Sequence, residues 1–442
     1  MQTSTRNSLL LKRSLAAVWH PCTQMKQHES LPLIPVARAE GCWIYDFDGK
    51  RYLDAVSSWW VNLFGHGNAH INAALRDQLD TLEHAMLAGF THEPVVELSE
   101  RLSKLTGGKL GHCFYGSDGA SAVEIALKMS FHFWRNSGQP RKTEFIHLAG
   151  SYHGETLGAL SVSDVALFKD TYALLLRKST PVQSPDWRLA EAGESPRAYA
   201  LRAAQVLAAH LEQYGATTAA LIVEPLVQGA TGMAMYHAAY LSEARALCER
   251  HGVHLIADEI MTGFGRTGTF FAYQQAQITP DFLCLSKGIT GGYLPLSVVM
   301  TTDTVYQAFY DESVARGFLH SHSYTGNALA CRAALATLDI FDEKQIIVSN
   351  RELSAAISKA SQDIASHPRV RHFRNSGMIW AFEVETDSQS FARDFHQRAL
   401  AKELLLRPIG NTIYFMPPYV INEEQIMLLT RGTLDILTTQ SQ

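Results

Sequence analysis

Between residues 70 and 325, short apolar runs alternate with longer stretches of helical period, and that alternation admits few folds. Helix-length stretches at Ala69–His84 and Val95–Leu105 precede an apolar run at Cys113–Tyr115. A helix then runs through about Trp134, and a second apolar run follows at Glu144–His147. Helices at Ala198–Tyr214 and Ala238–His251 lead into runs at Ala219–Val223 and His254–Ala257. Two more runs come at Phe282–Leu285 and Pro295–Met300. Strands that alternate with helices build a mainly parallel sheet covered on both faces, so the expected fold class is α/β.

The remainder of the chain differs. Helices at Ala328–Phe341 and Glu352–His367, with strands near Met378–Val384 and Thr412–Phe415, read as a smaller α+β lobe. The first 60 residues read as a lead-in with little helix. They hold a hairpin of Cys42–Asp46 and Arg51–Asp54 around an Asp48-Gly49 turn. The expected division is 1–65 as an N-terminal segment joining the small lobe, 66–325 as the large domain and 326–442 as the small one.

Composition narrows the function. With 18% charged residues and a formal net charge of -5, acids and bases interspersed, no basic face suggests nucleic acid. The six cysteines lie far apart with no Cys-x-x-Cys pair, which argues against a zinc site or a disulfide framework. No apolar run reaches the roughly 18 residues of a membrane span. Met1–Leu15 has too small an apolar cluster for a signal peptide. The expectation is a cytoplasmic protein.

Four features with chemical potential fall where strands end, which is where ligands sit in an open α/β sheet. Lys287 follows the buried run Phe282–Leu285, in Ser286-Lys287-Gly288. A lysine facing a cleft there loses its proton readily, and its free amine condenses with aldehydes. Pyridoxal phosphate (PLP) is such an aldehyde. Asp258 heads the run before it and needs a partner: a protonated pyridine nitrogen, or a helix cap or ion pair. Tyr152, in Gly-Ser-Tyr-His-Gly, suits flat contact with a ring, whereas His153 reads as a structural neighbour. Gly116-Ser117-Asp118-Gly119-Ala120-Ser121 opens a helix, as a phosphate cradle or as an ordinary cap.

Outside these strand ends, Trp59-Trp60 reads as core packing or as a wall for an apolar substrate, and Arg407 as a carboxylate clamp or a surface salt bridge. Gly263-Phe264-Gly265-Arg266-Thr267-Gly268 fits a dinucleotide fingerprint in letters only. No convincing helix follows it, and Asp281 comes too soon for the acidic partner. It reads as a structural loop beside Asp258.

Asp258-Glu259, the glycine run at 263–268, Pro280-Asp281 and Ser286-Lys287-Gly288 together resemble the class III, fold-type I PLP-dependent aminotransferases over nearly the whole chain. Trp19-His20-Pro21, Ser57-Ser58-Trp59-Trp60, Leu406-Arg407-Pro408-Ile409-Gly410 and Tyr414-Phe415-Met416-Pro417-Pro418-Tyr419 are similar to one branch of that family. Its members aminate 8-amino-7-oxononanoate to 7,8-diaminononanoate in biotin synthesis. The resemblance implies that Lys287 binds PLP covalently and shuttles a proton, that Asp258 holds the pyridine nitrogen and that Tyr152 stacks near the ring. It implies phosphate binding by Gly119 and Ala120, completed by His322 and Ser323 from the partner subunit of a homodimer. Trp59, Trp60, Arg407 and Tyr414 would line the substrate site, with Cys22 and Ser321 beside them.

Cys22 departs from the family's tyrosine, which helps bind the donor S-adenosylmethionine. The His320–Asn327 stretch and Lys287-Gly288-Ile289-Thr290-Gly291-Gly292-Tyr293-Leu294-Pro295 resemble members that use lysine as donor. Trp59, Trp60 and Arg407 argue against a transaminase of another ω-amino acid, and the intact Lys287, Asp258 and Tyr152 set argues against an idle PLP-binding protein.

Overall fold

The structure, a computed structural model, describes residues 5–439, so the outermost residues of the expected N-terminal segment and C-terminal lobe lie outside it. The chain forms two compact units. The larger holds His70–Glu352 with Ser376–Ile379; the smaller holds the residues up to Ala69, Leu353–Asn375 and those from Trp380 onward.

The larger unit is built on a seven-stranded sheet. Its strands are β1 (His112–Gly116), β2 (Glu144–Leu148), β3 (Thr180–Val182), β4 (Thr218–Val223), β5 (His254–Asp258), β6 (Phe282–Leu285) and β7 (Ser297–Thr301). Their order is β1-β7-β6-β5-β4-β2-β3. Neighbours from β6 through β5, β4 and β2 to β3 are parallel. β7 alone is reversed, antiparallel to both β6 and β1. Every residue of β4, β5 and β6 is buried, as expected of strands covered on both faces.

Helices follow from local signals. Asp118 caps the Gly119–Asn136 helix by accepting the Ser121 N–H at 2.9 Å. That helix buries Val123, Ile125, Leu127 and Trp134 in one core with Ile222, Ile256, Phe282 and Val299. Trp134 keeps its indole N–H satisfied on the Ala219 carbonyl, 2.9 Å away. Ser195 caps the Pro196–Tyr214 helix, which has proline in its first turn. Gly252, at φ 59°, ends the Ala239–His251 helix.

The Ala328–Glu343 helix belongs to the larger unit, not to the expected 326–442 lobe. Its Asp342 pairs with Arg101 of the Glu93–Leu105 helix at 3.0 Å, and it buries residues nearly all round. The 263–268 glycine run is a loop, with Gly265 at φ 87° and Gly268 at φ 97°, and Arg266 in it is buried. It opens no helix that could present amides to a dinucleotide.

In the smaller unit, Val36–Glu40, Trp43–Asp46 and Arg51–Asp54 form an antiparallel sheet that Leu404–Leu405 joins in parallel. Asp46 turns the expected hairpin by accepting the N–H groups of Asp48 and Lys50. Ile379–Val384 pairs with Thr412–Phe415 around the wholly buried Trp380. The lead-in departs from expectation. Arg6–Ala17 is a helix capped by Thr5, and it buries no residue. Among the described residues no helix is long and apolar enough to cross a membrane.

Candidate active site

The sheet brings several polar groups to one edge. β5 ends at Asp258, whose register partner on β6 is Cys284, and Lys287 lies three residues beyond Cys284. Glu224 follows β4, and Tyr152 and His153 lie just past β2. Because β1, β2, β4, β5 and β6 run the same way, all these groups gather at the carboxyl edge of the sheet, around the ends of central strands.

Lys287 sits in a tight turn at φ 46°, a left-handed conformation uncommon outside glycine. Such residues cost on the order of 1–3 kcal/mol and cluster at functional sites. Burial pulls the lysine pKa down, while the charges of Asp258 and Glu224 pull it up. All three groups are therefore within electrostatic reach of one another. A partly desolvated lysine beside two carboxyls can exist as a free amine.

Asp258 is buried, at 4% exposure. Its Oδ1 accepts the Ile260 N–H at 3.1 Å and its Oδ2 lies 2.7 Å from His153 Nδ1. The sequence reading missed this second contact. It also missed Glu224, which accepts the N–H groups of Tyr152 at 3.0 Å and Gly229 at 2.9 Å. Burial pushes the Glu224 carboxyl up to about 7, against the opposing influence of His153 and those two donors. Nearby Glu259 accepts from Ala272 and Tyr273, both at 2.7 Å, and burial pushes it up to about 8.

Tyr152 is half-buried. Its hydroxyl donates to Glu155 at 2.9 Å and its ring lies 5.4 Å from that of Phe168. Gly154, at φ 123°, lets this loop approach the start of the Gly119–Asn136 helix: a Cβ there would lie 2.6 Å from that of Ala120. A Cβ on Gly119 would lie 2.9 Å from Ile260, just past Asp258. Gly119 and Ala120 are thus held against both the Tyr152 loop and the Asp258 strand end. In the same chain, His322 Nδ1 lies 3.2 Å from Ser117 Oγ, which precedes this helix. Ser321 and Ser323 are exposed.

The smaller unit holds a separate cluster. Ser57, Ser58, Trp59 and Trp60 all have positive φ, at 51°, 46°, 69° and 75°. Buried Asp54 holds this left-handed turn, accepting the Ser58 N–H and hydroxyl, both at 2.8 Å, with His66 Nε2 at 3.0 Å. Ser57 donates to the Met416 carbonyl at 2.6 Å. The turn sets Trp60 inward, donating to the Tyr414 hydroxyl at 3.1 Å, and leaves Trp59 46% exposed. The Arg407 guanidinium lies 4.8 Å from the centre of the Trp59 ring. Cys22 is exposed, at φ 51°.

The class III aminotransferase family matches residues 24–437. This chain is a class III aminotransferase. A relative in Helicobacter pylori named adenosylmethionine-8-amino-7-oxononanoate aminotransferase is 48% identical over 435 residues, 96% of each chain. One of the same name in Geobacter sulfurreducens is 38% identical over 94% of each. The solved structure of that enzyme from Methanocaldococcus jannaschii superposes with a TM-score of 0.91 at 33% identity, covering 98% of this chain and 99% of that one. An amine transaminase from an uncultivated Pseudomonas species, solved with PLP bound, gives a TM-score of 0.91 at 30% identity, covering 96% and 98%. The aminotransferase has the fold-type I architecture and is PLP-dependent. The residues at its sheet edge fit that cofactor. A desolvated amine suits an aldehyde, a buried carboxylate suits a ring N–H, and a close-packed helix start suits a phosphate.

Proposed function

We propose that this aminotransferase converts 8-amino-7-oxononanoate to 7,8-diaminononanoate in biotin synthesis, with S-adenosylmethionine as amino donor. The observation that carries this reading is the 48% identity, over 96% of both chains, to the Helicobacter pylori relative named for that reaction. The chemistry of the chain agrees. The acceptor has a carboxylate at one end of an apolar methylene chain. Arg407 suits the carboxylate, and Trp59, Trp60 and Tyr414 suit the methylenes.

When bound, PLP supplies an aldehyde that condenses with amines and a ring that draws electrons from the reacting carbon. Lys287 would hold it covalently, and its Nζ, once displaced by the donor's amine, would be the free base that takes a proton from the amine-bearing carbon of the donor. The lowered pKa supports that role, since an amine must be neutral to act as base. Asp258 would accept a hydrogen bond from the protonated ring nitrogen and keep it charged, and Tyr152 would lie against the ring. Gly119 and Ala120 offer backbone N–H groups to the phosphate at a helix start. His322 and Ser323 from a partner subunit complete that site, and Ser321 and Cys22 border the substrate. We read the enzyme as a cytoplasmic homodimer.

Lysine is the second reading for the donor, favoured by Cys22 where the family carries tyrosine. The test is a mass-spectrometric assay of 7,8-diaminononanoate from the PLP-loaded enzyme with each donor in turn. Product with S-adenosylmethionine is expected. Product with lysine alone replaces the donor, and no product with either overturns the acceptor.

A further inference from the structure

Asp258 is held at both of its carboxylate oxygens. The His153 ring is fully buried, and its Nδ1 lies 2.7 Å from Asp258 Oδ2. An ionised carboxylate only accepts hydrogen bonds, so Nδ1 carries the hydrogen in this contact. The Ile260 N–H occupies Oδ1 at 3.1 Å. With a donor fixed on each oxygen, the carboxylate plane has one orientation, and about half of its roughly four acceptor positions stay open.

His153 is itself held. Its backbone N–H donates to Ser163 Oγ at 2.9 Å, and Ser163 donates to the Ala159 carbonyl at 2.9 Å. Next to it, Gly154 packs against Ala120 too closely for any side chain. The other ring nitrogen, Nε2, is buried and has no hydrogen-bond partner among the described residues. A ring placed only to fill space would be cheaper as leucine, since an unpartnered buried polar atom costs about 1–3 kcal/mol. The polar edge that is used points at Asp258.

We propose that His153 is a positioning residue for the cofactor: its Nδ1–H sets the orientation of the Asp258 carboxylate and keeps it an acceptor of the hydrogen bond from the protonated ring nitrogen. This rests on the reading of Asp258 as the partner of that nitrogen. His153 touches no reacting atom and acts through Asp258 alone.

The experiment compares three variants. His153→Leu keeps volume and removes the donor. His153→Asn keeps an amide N–H where Nδ1 stands. His153→Gln moves its amide toward the Nε2 position. PLP affinity of the apoprotein is read by fluorescence titration, and the pH dependence of the bound cofactor's visible absorbance by spectrophotometry. His153→Leu is expected to weaken PLP binding about 10- to 100-fold, the scale seen when outer hydrogen-bond partners are removed from a site. The pH dependence of its absorbance shifts, and His153→Asn restores both better than His153→Gln. If His153→Leu does not fold, the Asn against Gln comparison decides alone. Equal behaviour of those two, or PLP affinity and pH dependence unchanged in His153→Leu, overturns the proposal.

A measurement without cofactor separates the two layers. Histidine-selective ¹⁵N NMR of the apoprotein should show His153 protonated at Nδ1, with a downfield N–H that disappears in Asp258→Ala. Protonation at Nε2 alone overturns the proposal. A normal His153 signal combined with unaltered PLP binding in Asp258→Ala overturns the reading of Asp258 instead.

Discussion

Glu224 accepts the backbone N–H of Tyr152 at 3.0 Å, so a buried carboxyl fixes the loop that carries the aromatic. That carboxyl is raised by burial from 4.5 to about 7. Below pH 4.5 the folded and unfolded chains both hold its proton. Between 4.5 and about 7 the unfolded chain releases it and the folded chain keeps it, so this contribution to stability is lost as pH rises. Glu259, raised to about 8, acts with the same sign over 4.5 to about 8. Lys287, lowered by burial, acts with the opposite sign at pH values below 10.5.

Glu224→Gln isolates the first contribution. Denaturant melts of the apoprotein should show the variant gaining on the parent between pH 4.5 and about 7, by on the order of 3 kcal/mol, then holding level. A difference that does not change with pH contradicts the buried carboxyl.

Asp54 anchors four successive positive-φ residues, each costing on the order of 1–3 kcal/mol. Asp54→Ala removes the acceptor for Ser58 and His66 together. Chemical denaturation should show a loss of about 3 kcal/mol or more, the scale of breaking a buried charged contact. A loss below about 1 kcal/mol means the turn is held by other contacts.

Trp60 and Tyr414 share a buried hydrogen bond of 3.1 Å. Trp60→Phe and Tyr414→Phe should each cost about 1–2 kcal/mol. In a double-mutant cycle the pair should couple by about 1 kcal/mol, and strict additivity would show the bond to be idle.

Arg407→Lys keeps the charge and loses the planar fork over Trp59. The expected result is a rise of about 10-fold in KM for the keto acid, with the donor half-reaction unchanged. An equal effect on both half-reactions would assign Arg407 to the donor or to the fold.

The strand-end positions of Lys287 and Asp258 were legible because each stands just past a short apolar run, Phe282–Leu285 and Leu255–Ala257, and both runs are buried strands. The glycine run at 263–268 read as a structural loop because Thr269-Phe270-Phe271 is a poor helix start, and it is a loop, followed only by the short 3-10 turn Ala272–Ala276. His153 was not legible as a partner of Asp258. The two are 105 residues apart and no spacing rule links them. Glu224 was hidden likewise, since its partners are backbone N–H groups that leave no mark on side-chain pattern. The left-handed Ser57–Trp60 turn contains no glycine, so the usual signal for positive φ is absent; local hydrogen bonds to Asp54 and the long-range bond of Ser57 to the Met416 carbonyl hold it. The Arg6–Ala17 helix buries no residue, and its leucines, Leu9, Leu10, Leu11 and Leu15, make too short a cluster to read as a helix.

We propose that Lys287 is the amine that holds PLP, beside Asp258 on the neighbouring strand. The most direct test is to load the purified protein with PLP, reduce it with borohydride, digest it and locate the pyridoxyl adduct by mass spectrometry. The adduct is expected on Lys287, and none in Lys287→Ala. An adduct on another lysine in the parent protein, with Lys287 unmodified, would contradict it.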